Sequence, residues 1–97
     1  MKIMVCSNVE GLTEEKIKSM RDEISETIRA KIQEDDLIII YDTIPSSKNN
    51  ALNALGRSIL KMADADAIYF ADGYTKCRNG MVEYLAARLY NKNIIRE

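Results

Sequence analysis

The amino-acid sequence predicts an α/β domain built on a four-stranded parallel sheet, and two observations lead to this prediction. Four short apolar runs recur along the chain, and each is separated from the next by a segment long enough for a helix. Such long connections between consecutive strands require parallel pairing and right-handed crossovers. We expect residues 1–97 to form a single domain, because a chain of this length is too short for two cores.

The first half of the chain predicts two strands and a long helix. Lys2–Cys6 is a β-branched run that ends in a loop rich in Ser, Asn and Gly. Residues 13–33 predict a helix that begins at Thr13, because apolar side chains then recur on one face. Residues 36–41 form a continuous apolar run, which is typical of a strand covered on both faces. The apolar face of the helix consists of Ile17, Met20, Ile24, Ile28 and Ile32.

The second half predicts two more helices and two more strands. Residues 43–50 read as a loop, and residues 66–71 as the third strand. The helix between them has a predicted apolar face of Leu52, Leu55, Ile59 and Met62. A polar loop, residues 72–79, leads to a last helix over residues 80–90 and a short strand, Asn93–Arg96. In the last helix we expect Val82, Leu85, Ala86 and Leu89 to face inward.

The predicted strand order is 2-1-3-4, a flavodoxin-like or Rossmann-like three-layer sandwich. In this order the winding reverses between the first and third strands, and the loops at their carboxyl ends leave a crevice. Those loops are residues 7–11 and 72–80. We therefore expect any binding site to lie where these two loops meet.

Composition excludes several classes of function. The net charge is −1, with basic residues interleaved among acidic ones, so a nucleic-acid polymer is not an expected partner. The chain has no histidine, which excludes a serine-histidine-aspartate triad and argues against zinc, and we expect no metal or cofactor. No apolar run reaches membrane-spanning length and no signal peptide is evident, so we expect a cytoplasmic protein with reduced thiols.

The most informative stretch runs from residue 64 to residue 86. Asp66 opens the third strand, Asp72-Gly73 ends it, and a glycine-containing turn leads to a helix that bears Glu83. Together with the strand-then-loop pattern of residues 5–11, this order resembles the nucleoside 2-deoxyribosyltransferase family and its relatives that hydrolyse deoxynucleoside monophosphates. The resemblance implies a retaining transfer at C1′ of a deoxyribose, through a covalent intermediate on a glutamate. Glu83 is the matching position.

Glu83 also suits this chemistry physically. A carboxylate in the first turn of a helix is stabilised by the helix dipole, so we expect Glu83 to stay ionised and nucleophilic. A neighbouring negative charge stabilises an oxocarbenium-like transition state. However, helix capping alone also explains a glutamate near a helix start. The expected substrate-binding residues are Ser7, Asn8, Gly11, Asp72, Gly73, Tyr74, Cys77 and Asn79, with Asp72 and Asn8 positioning the sugar.

The sequence departs from the family pattern at four positions. Members carry an acid eight positions before the aspartate that opens the third strand, where it helps protonate the leaving base, and here that position is Ser58. Glu10 replaces an arginine of the relatives that act on monophosphates, and would repel a phosphate. Cys77 replaces a Ser or Asp, and Gly80 lies one residue later than usual. These departures argue against a 5′-monophosphate substrate.

Alternative functions remain open at this point. A receiver-type domain needs acidic residues after the first strand to hold Mg²⁺, and Cys6-Ser7-Asn8 does not supply them. A flavodoxin needs a hydroxyl-rich phosphate loop there, of which Ser7 and Thr13 are a weak counterpart. A non-catalytic module that binds a nucleoside-like ligand is the main alternative. We also expect a homodimer or higher homo-oligomer, because so small a sheet leaves apolar helix surface uncovered.

Overall fold

The computed structural model describes residues 1–96, apart from the side chain of Lys48. Strands and α-helices alternate along these residues, and a short 3-10 turn precedes each of the last two helices. The strands are β1 (Lys2–Cys6), β2 (Ile38–Tyr41), β3 (Ala67–Phe70) and β4 (Asn93–Arg96). The helices are α1 (Glu14–Lys31), α2 (Ala51–Asp64) and α3 (Arg78–Leu89), and the turns are Lys48–Asn50 and Tyr74–Lys76.

The four strands form one parallel sheet in the order β2-β1-β3-β4, which confirms the predicted topology. Met4 of β1 pairs with Ile40 of β2 on one side and with Ile68 of β3 on the other. Ile68 pairs in turn with Ile94 of β4. With helices on both faces, this is a flavodoxin-like α/β fold.

The core has two layers, because successive side chains of a strand point to opposite faces of the sheet. Ile3, Val5 and Tyr69 point to the face covered by α1 and are fully buried there. Cys6 and Phe70 point to the other face, among residues of α2 and α3. Tyr69 and its neighbour Phe70 therefore both belong to the core, on opposite faces of the sheet.

Helix α1 forms as the sequence predicts. The Thr13 hydroxyl caps its first turn by accepting a hydrogen bond from the Lys16 amide at 3.2 Å. Ile24 and Ile28 are buried against the sheet. The helix ends at Lys31, two residues before the predicted end.

Strand β2 differs from its prediction. It begins at Ile38 instead of residue 36, and Ile38 is 54% exposed. The expectation of a strand covered on both faces holds only in part. Ile39 and Tyr41 pack against one core layer and Ile40 against the other, but all three are only half-buried, since β2 lies at the edge of the sheet. A continuous apolar run therefore marked an edge strand.

The predicted inward faces of α2 and α3 are also wrong in part. Leu52 of α2 is 79% exposed, whereas Met62 is buried as predicted. The other buried residues of this helix are Ala54 and Ser58. Helix α3 exposes Val82, Leu85 and Leu89 and buries Gly80, Glu83 and Ala87. Small residues let α3 approach its neighbours closely: a Cβ at position 80 would lie 2.5 Å from the Tyr74 carbonyl oxygen.

Residues 1–96 contain no helix that is both long enough and apolar enough to cross a lipid bilayer.

Candidate functional site

A cavity of about 200 Å³ opens at the carboxyl ends of β1 and β2, beside the start of α3. This is the edge at which ligands bind open parallel sheets. Three chain segments supply most of the wall: the loop after β1, the loop after β2 and the first turns of α3. The lining residues are Ser7, Val9, Glu10, Asp42, Thr43, Ile44, Pro45, Ala51, Cys77, Arg78, Asn79 and Glu83.

The structure brings only part of the predicted site together. Ser7, Cys77, Asn79 and Glu83 line the cavity. The other predicted residues are not part of the lining: Asn8, Gly11, Asp72, Gly73 and Tyr74. The loop after β3 therefore contributes only its last residues to this cavity. The loop after β2, which the sequence analysis did not single out, contributes residues 42–45.

The predicted residues outside the cavity have local structural roles. The Asn8 side-chain oxygen accepts a hydrogen bond from the Glu10 amide at 3.1 Å, which closes a turn. Gly11 and Gly73 adopt positive φ angles of 73° and 91°, which favour glycine. The Tyr74 ring lies 5.1 Å from the ring centroids of both Phe70 and Tyr84. Asp72 is exposed on the surface.

Glu83 is almost completely buried, with 2% of its surface exposed. One carboxylate oxygen, Oε2, has no hydrogen-bond partner within the described part of the protein. The expectation that a helix dipole keeps Glu83 ionised is wrong, because Glu83 is the sixth residue of α3 and lies beyond the first turn. Burial instead raises the pKa of Glu83, and a hydrogen bond from the Cys6 thiol partly offsets this rise.

Asp42 is a site residue that the sequence analysis missed. It directly follows β2, and its backbone amide donates a 3.0 Å hydrogen bond to the Val5 carbonyl oxygen. Its Oδ1 atom is buried without a hydrogen-bond partner among the described residues. Burial and the nearby Glu83 carboxylate raise the pKa of Asp42 to about 7, although the Arg21 guanidinium acts in the opposite direction.

Arg21 reaches this region from α1 on the opposite face of the sheet. Its guanidinium donates to the Asp42 carbonyl oxygen at 3.3 Å and stacks 4.5 Å from the centre of the Tyr41 ring. These contacts hold the end of β2 against α1. Arg21 is thereby placed to moderate the electrostatic cost of a charge on Asp42.

Ser58 of α2 is fixed by the backbone next to Asp42. Its side chain is 1% exposed, and its hydroxyl accepts a 2.8 Å hydrogen bond from the Thr43 amide. Asn79 is similarly occupied, because its side-chain amide donates to the Ala51 carbonyl oxygen at 3.1 Å. Both residues fix segments of the cavity wall.

Three side chains that could donate to a metal ion lie close together: Cys6, Asp42 and Glu83. The Cys6 sulfur and one carboxylate oxygen of each acid all lie within 4.8 Å of one another. Only the two carboxylates line the cavity, whereas Cys6 is fully buried behind it. Burial raises the pKa of the Cys6 thiol, which keeps it protonated, and a metal ligand must be a thiolate. We therefore interpret the group as two interacting carboxylates beside a neutral thiol.

Two exposed charged residues of opposite sign complete the lining. Glu10 comes from the loop after β1, and Arg78 is the first residue of α3. The cavity therefore has no strong net charge at its rim, in keeping with a ligand that is not a polyanion.

Comparison with known proteins identifies no relative. No protein-family model, curated protein or solved structure matches the chain significantly. The functional interpretation depends on the cavity itself and on the sequence pattern that leads to Glu83.

Proposed function

We propose that the protein is an N-deoxyribosyltransferase or nucleoside N-glycosidase of the nucleoside 2-deoxyribosyltransferase-like family. It acts at C1′ of a deoxynucleoside through a covalent intermediate on Glu83. The observation that supports this most strongly is a glutamate that is 2% exposed, has an unpartnered oxygen and lines a cavity. A buried polar atom without a partner destabilises a fold by about 1–3 kcal/mol, so such an atom calls for a functional reason.

The cavity fits the sugar of a nucleoside better than a large ligand. Its volume of about 200 Å³ is below the roughly 300–1,000 Å³ of pockets that enclose drug-sized molecules. Val9, Ile44 and Pro45 add apolar surface to the polar lining, and such surface suits a flat base. The proposed ligand is therefore a single nucleoside-like molecule.

In the proposed reaction the Glu83 carboxylate attacks C1′ as the base departs. The developing oxocarbenium character is stabilised by the negative charge of Glu83. The resulting glycosyl ester then passes its sugar to water or to a second base. A carboxylate that burial has stripped of water is a stronger nucleophile once ionised, although burial also makes ionisation more costly.

The second candidate is a non-catalytic module that binds nucleosides. The raised pKa of Glu83 favours it, because burial makes the ionised, nucleophilic form of this carboxyl group more costly. Ser58 favours it as well, since its hydroxyl is committed to the Thr43 amide and cannot serve as the missing acid.

Release of free base from deoxynucleosides, measured with and without an acceptor base, separates the two candidates. We expect slow release by the wild-type protein and none by Glu83→Gln, because an amide keeps the shape but loses the nucleophile. Glu26→Gln, an exposed glutamate of α1, is the matched control and should leave the rate unchanged. Binding of deoxynucleosides without any base release by the wild-type protein would establish the binding module instead.

The proposal includes a cytoplasmic homodimer, or a larger homo-oligomer, with the outer face of α3 at the interface. Met81, Leu85, Leu89 and Tyr90 are between 51% and 81% exposed on and just beyond this helix. The resembled family completes its sites across a subunit interface. Light scattering at high micromolar concentration should give a multiple of the 11.0 kDa chain mass, and a monomer mass would refute this part of the proposal.

A further inference from the structure

Cleavage of an N-glycosidic bond needs an acid that protonates the departing base, and we propose that Asp42 is this acid. The inference rests on the proposed function. Asp42 lines the same cavity as Glu83, and a carboxylate oxygen of each lies within 4.8 Å of the other. The Asp42 Oδ1 atom and the Glu83 Oε2 atom are both buried without a hydrogen-bond partner among the described residues.

The separation of the two carboxylates fits a retaining mechanism. In retaining glycosidases the nucleophile and the acid are about 5–5.5 Å apart, whereas inverting enzymes need roughly 6.5–9.5 Å to admit a water molecule between them. One oxygen atom of Asp42 lies within 4.8 Å of one oxygen atom of Glu83, so the two carboxyl groups are close neighbours, as a retaining mechanism requires. The pair therefore has the spacing to act on the two sides of one glycosidic bond.

The surroundings of the two carboxylates assign their roles. Two carboxylates this close in a buried site share a proton, since both ionise only at a high cost. Burial raises the pKa of Glu83, and the Cys6 thiol, which donates a hydrogen bond to Glu83, acts in the opposite direction. Burial and the charge of Glu83 raise the pKa of Asp42 to about 7. Because the charge of Glu83 is among the causes that raise the pKa of Asp42, we assign the shared proton to Asp42 and the role of nucleophile to Glu83.

Ser58 acts as a positioning residue for this acid. Its buried hydroxyl accepts the Thr43 amide hydrogen bond at 2.8 Å, which anchors the residue immediately after Asp42. A serine hydroxyl is too weak an acid to protonate a base itself. Ser58 of α2 therefore holds the loop after β2 in place, and Asp42 of that loop is the acid.

The first half of the reaction forms the glycosyl ester on Glu83 and releases the base. A Glu83 oxygen forms a bond to C1′ while the bond from C1′ to the base nitrogen breaks, and its electron pair stays on the base. The Asp42 proton passes to a ring nitrogen of the base, which leaves as a neutral molecule. Asp42 is then ionised, and the negative charge of Glu83 has been consumed in the glycosyl ester.

The second half restores both groups. Asp42 accepts a proton from the attacking water, or from the N–H of an acceptor base, as the new bond to C1′ forms. The ester bond to Glu83 breaks, and its electron pair returns to the carboxylate. Asp42 is protonated again, Glu83 is ionised, and no other co-reactant is needed.

The protonation of Asp42 depends on groups from every element around it. Glu83 of α3 raises its pKa, and Arg21 of α1 lowers it, as do hydrogen bonds with the Ser7 amide and with its own amide. Cys6 of β1 lies within 4.8 Å and is neutral. The other charged residues that line the cavity are Glu10 and Arg78.

The experiment compares a poor and a good leaving group in wild-type protein and Asp42→Asn. With deoxyadenosine, whose base needs a proton, we expect kcat to fall about 10²–10⁴-fold in the variant. With 4-nitrophenyl 2-deoxyribofuranoside, whose leaving group departs without a proton, we expect less than about a 10-fold change. Asp36→Asn, an exposed aspartate just before β2, is the matched control and should leave both rates unchanged.

The pH profile of the wild-type protein tests the assignment without a substitution. The rate with deoxyadenosine should fall as the pH rises above about 7, where Asp42 loses its proton. The rate with the nitrophenyl substrate should not fall over the same range. If circular dichroism shows that Asp42→Asn is unfolded, this pH profile alone tests whether Asp42 is the acid.

The outcomes separate the two proposals. A wild-type protein that releases neither adenine nor nitrophenol overturns both the enzymatic function and the role of Asp42. A wild-type protein that releases both products, while folded Asp42→Asn is slowed equally on both or on neither, overturns the role of Asp42 alone. Identical pH profiles on the two substrates would overturn it as well.

Discussion

Helices α1 and α3 pack on opposite faces of the same sheet, and they bury opposite kinds of residue. Helix α1 buries Ile24 and Ile28 and exposes its charged residues apart from Arg21. Helix α3 buries Gly80, Glu83 and Ala87 and leaves leucines exposed. The packing of α1 is what the hydrophobic effect favours. Helix α3 instead brings a carboxylate to a cavity and exposes apolar side chains, an arrangement that the hydrophobic effect alone does not favour.

Other contacts on the α3 face offset the weak apolar burial of this helix. Phe70, Tyr74 and Tyr84 form a cluster in which every pair of ring centroids lies 5.1 or 5.2 Å apart. Such aromatic pairs contribute about 0.5–1.5 kcal/mol each beyond their buried area. The cluster joins β3, the 3-10 turn and α3, and it fixes the start of the helix that carries Glu83.

The contrast between α1 and α3 predicts that truncating an apolar side chain destabilises the fold much more on α1 than on α3. Ile28→Ala should lower the free energy of unfolding by about 2–5 kcal/mol, because Ile28 is 1% exposed and its removal leaves a cavity under α1. Leu89→Ala on α3 should change the free energy of unfolding by less than about 0.5 kcal/mol when it is measured on dilute, monomeric protein, since Leu89 is 74% exposed in the single chain. Urea denaturation of both variants measures this difference. Comparable losses would show that α3 buries its leucines in solution, as in a dimer.

The next effect concerns how closely α3 approaches the preceding turn. Gly80→Ala should destabilise the fold by about 1–3 kcal/mol, because its Cβ would lie 2.5 Å from the Tyr74 carbonyl oxygen. Gly56→Ala in α2 is the matched control, since a Cβ there meets no atom within 4 Å. We expect Gly56→Ala to stabilise the helix by about 0.5–1 kcal/mol. Thermal melts of both variants should therefore shift in opposite directions.

A smaller effect is the dependence of stability on pH. The pKa of Asp42 is about 7 in the folded protein and roughly 3.9 in an unfolded chain. The stabilisation from this raised pKa is complete below about pH 4 and is lost as the pH rises through 7. Asp42→Asn should therefore be about 1–3 kcal/mol more stable than the wild type at pH 8.5, relative to the difference at pH 5. Parallel curves for the two proteins would contradict a buried acid at this position.

Much of the fold could be predicted from the sequence, because it depends on patterns that are local. The apolar runs gave the strands, the lengths of the connections gave parallel pairing, and Thr13 gave the start of α1. The face of α3 could not be predicted, since the rule that apolar residues face inward assigned Leu85 and Leu89 to the core. The rule failed where a polar residue, Glu83, takes an inward position.

The candidate site was harder to predict, because it depends on which loops meet. Asp42 follows an apolar run directly, and only the adjacency of β2 to β1 brings it to the cavity. Asn8 and Tyr74 looked like ligand contacts, but a turn and an aromatic cluster occupy their side chains. The signal that could have identified Asp42 is its position directly after a strand that neighbours β1 in the sheet.

The most direct test of the account is whether a sugar becomes attached to Glu83. The wild-type protein and Glu83→Gln would be mixed with 4-nitrophenyl 2-deoxyribofuranoside, quenched in acid and analysed by intact-mass and peptide mass spectrometry. The account predicts an added mass of one deoxyribosyl group on the peptide that contains Glu83, and none on Glu83→Gln. Release of nitrophenol with no adduct, or with an adduct on a residue other than Glu83, would contradict it.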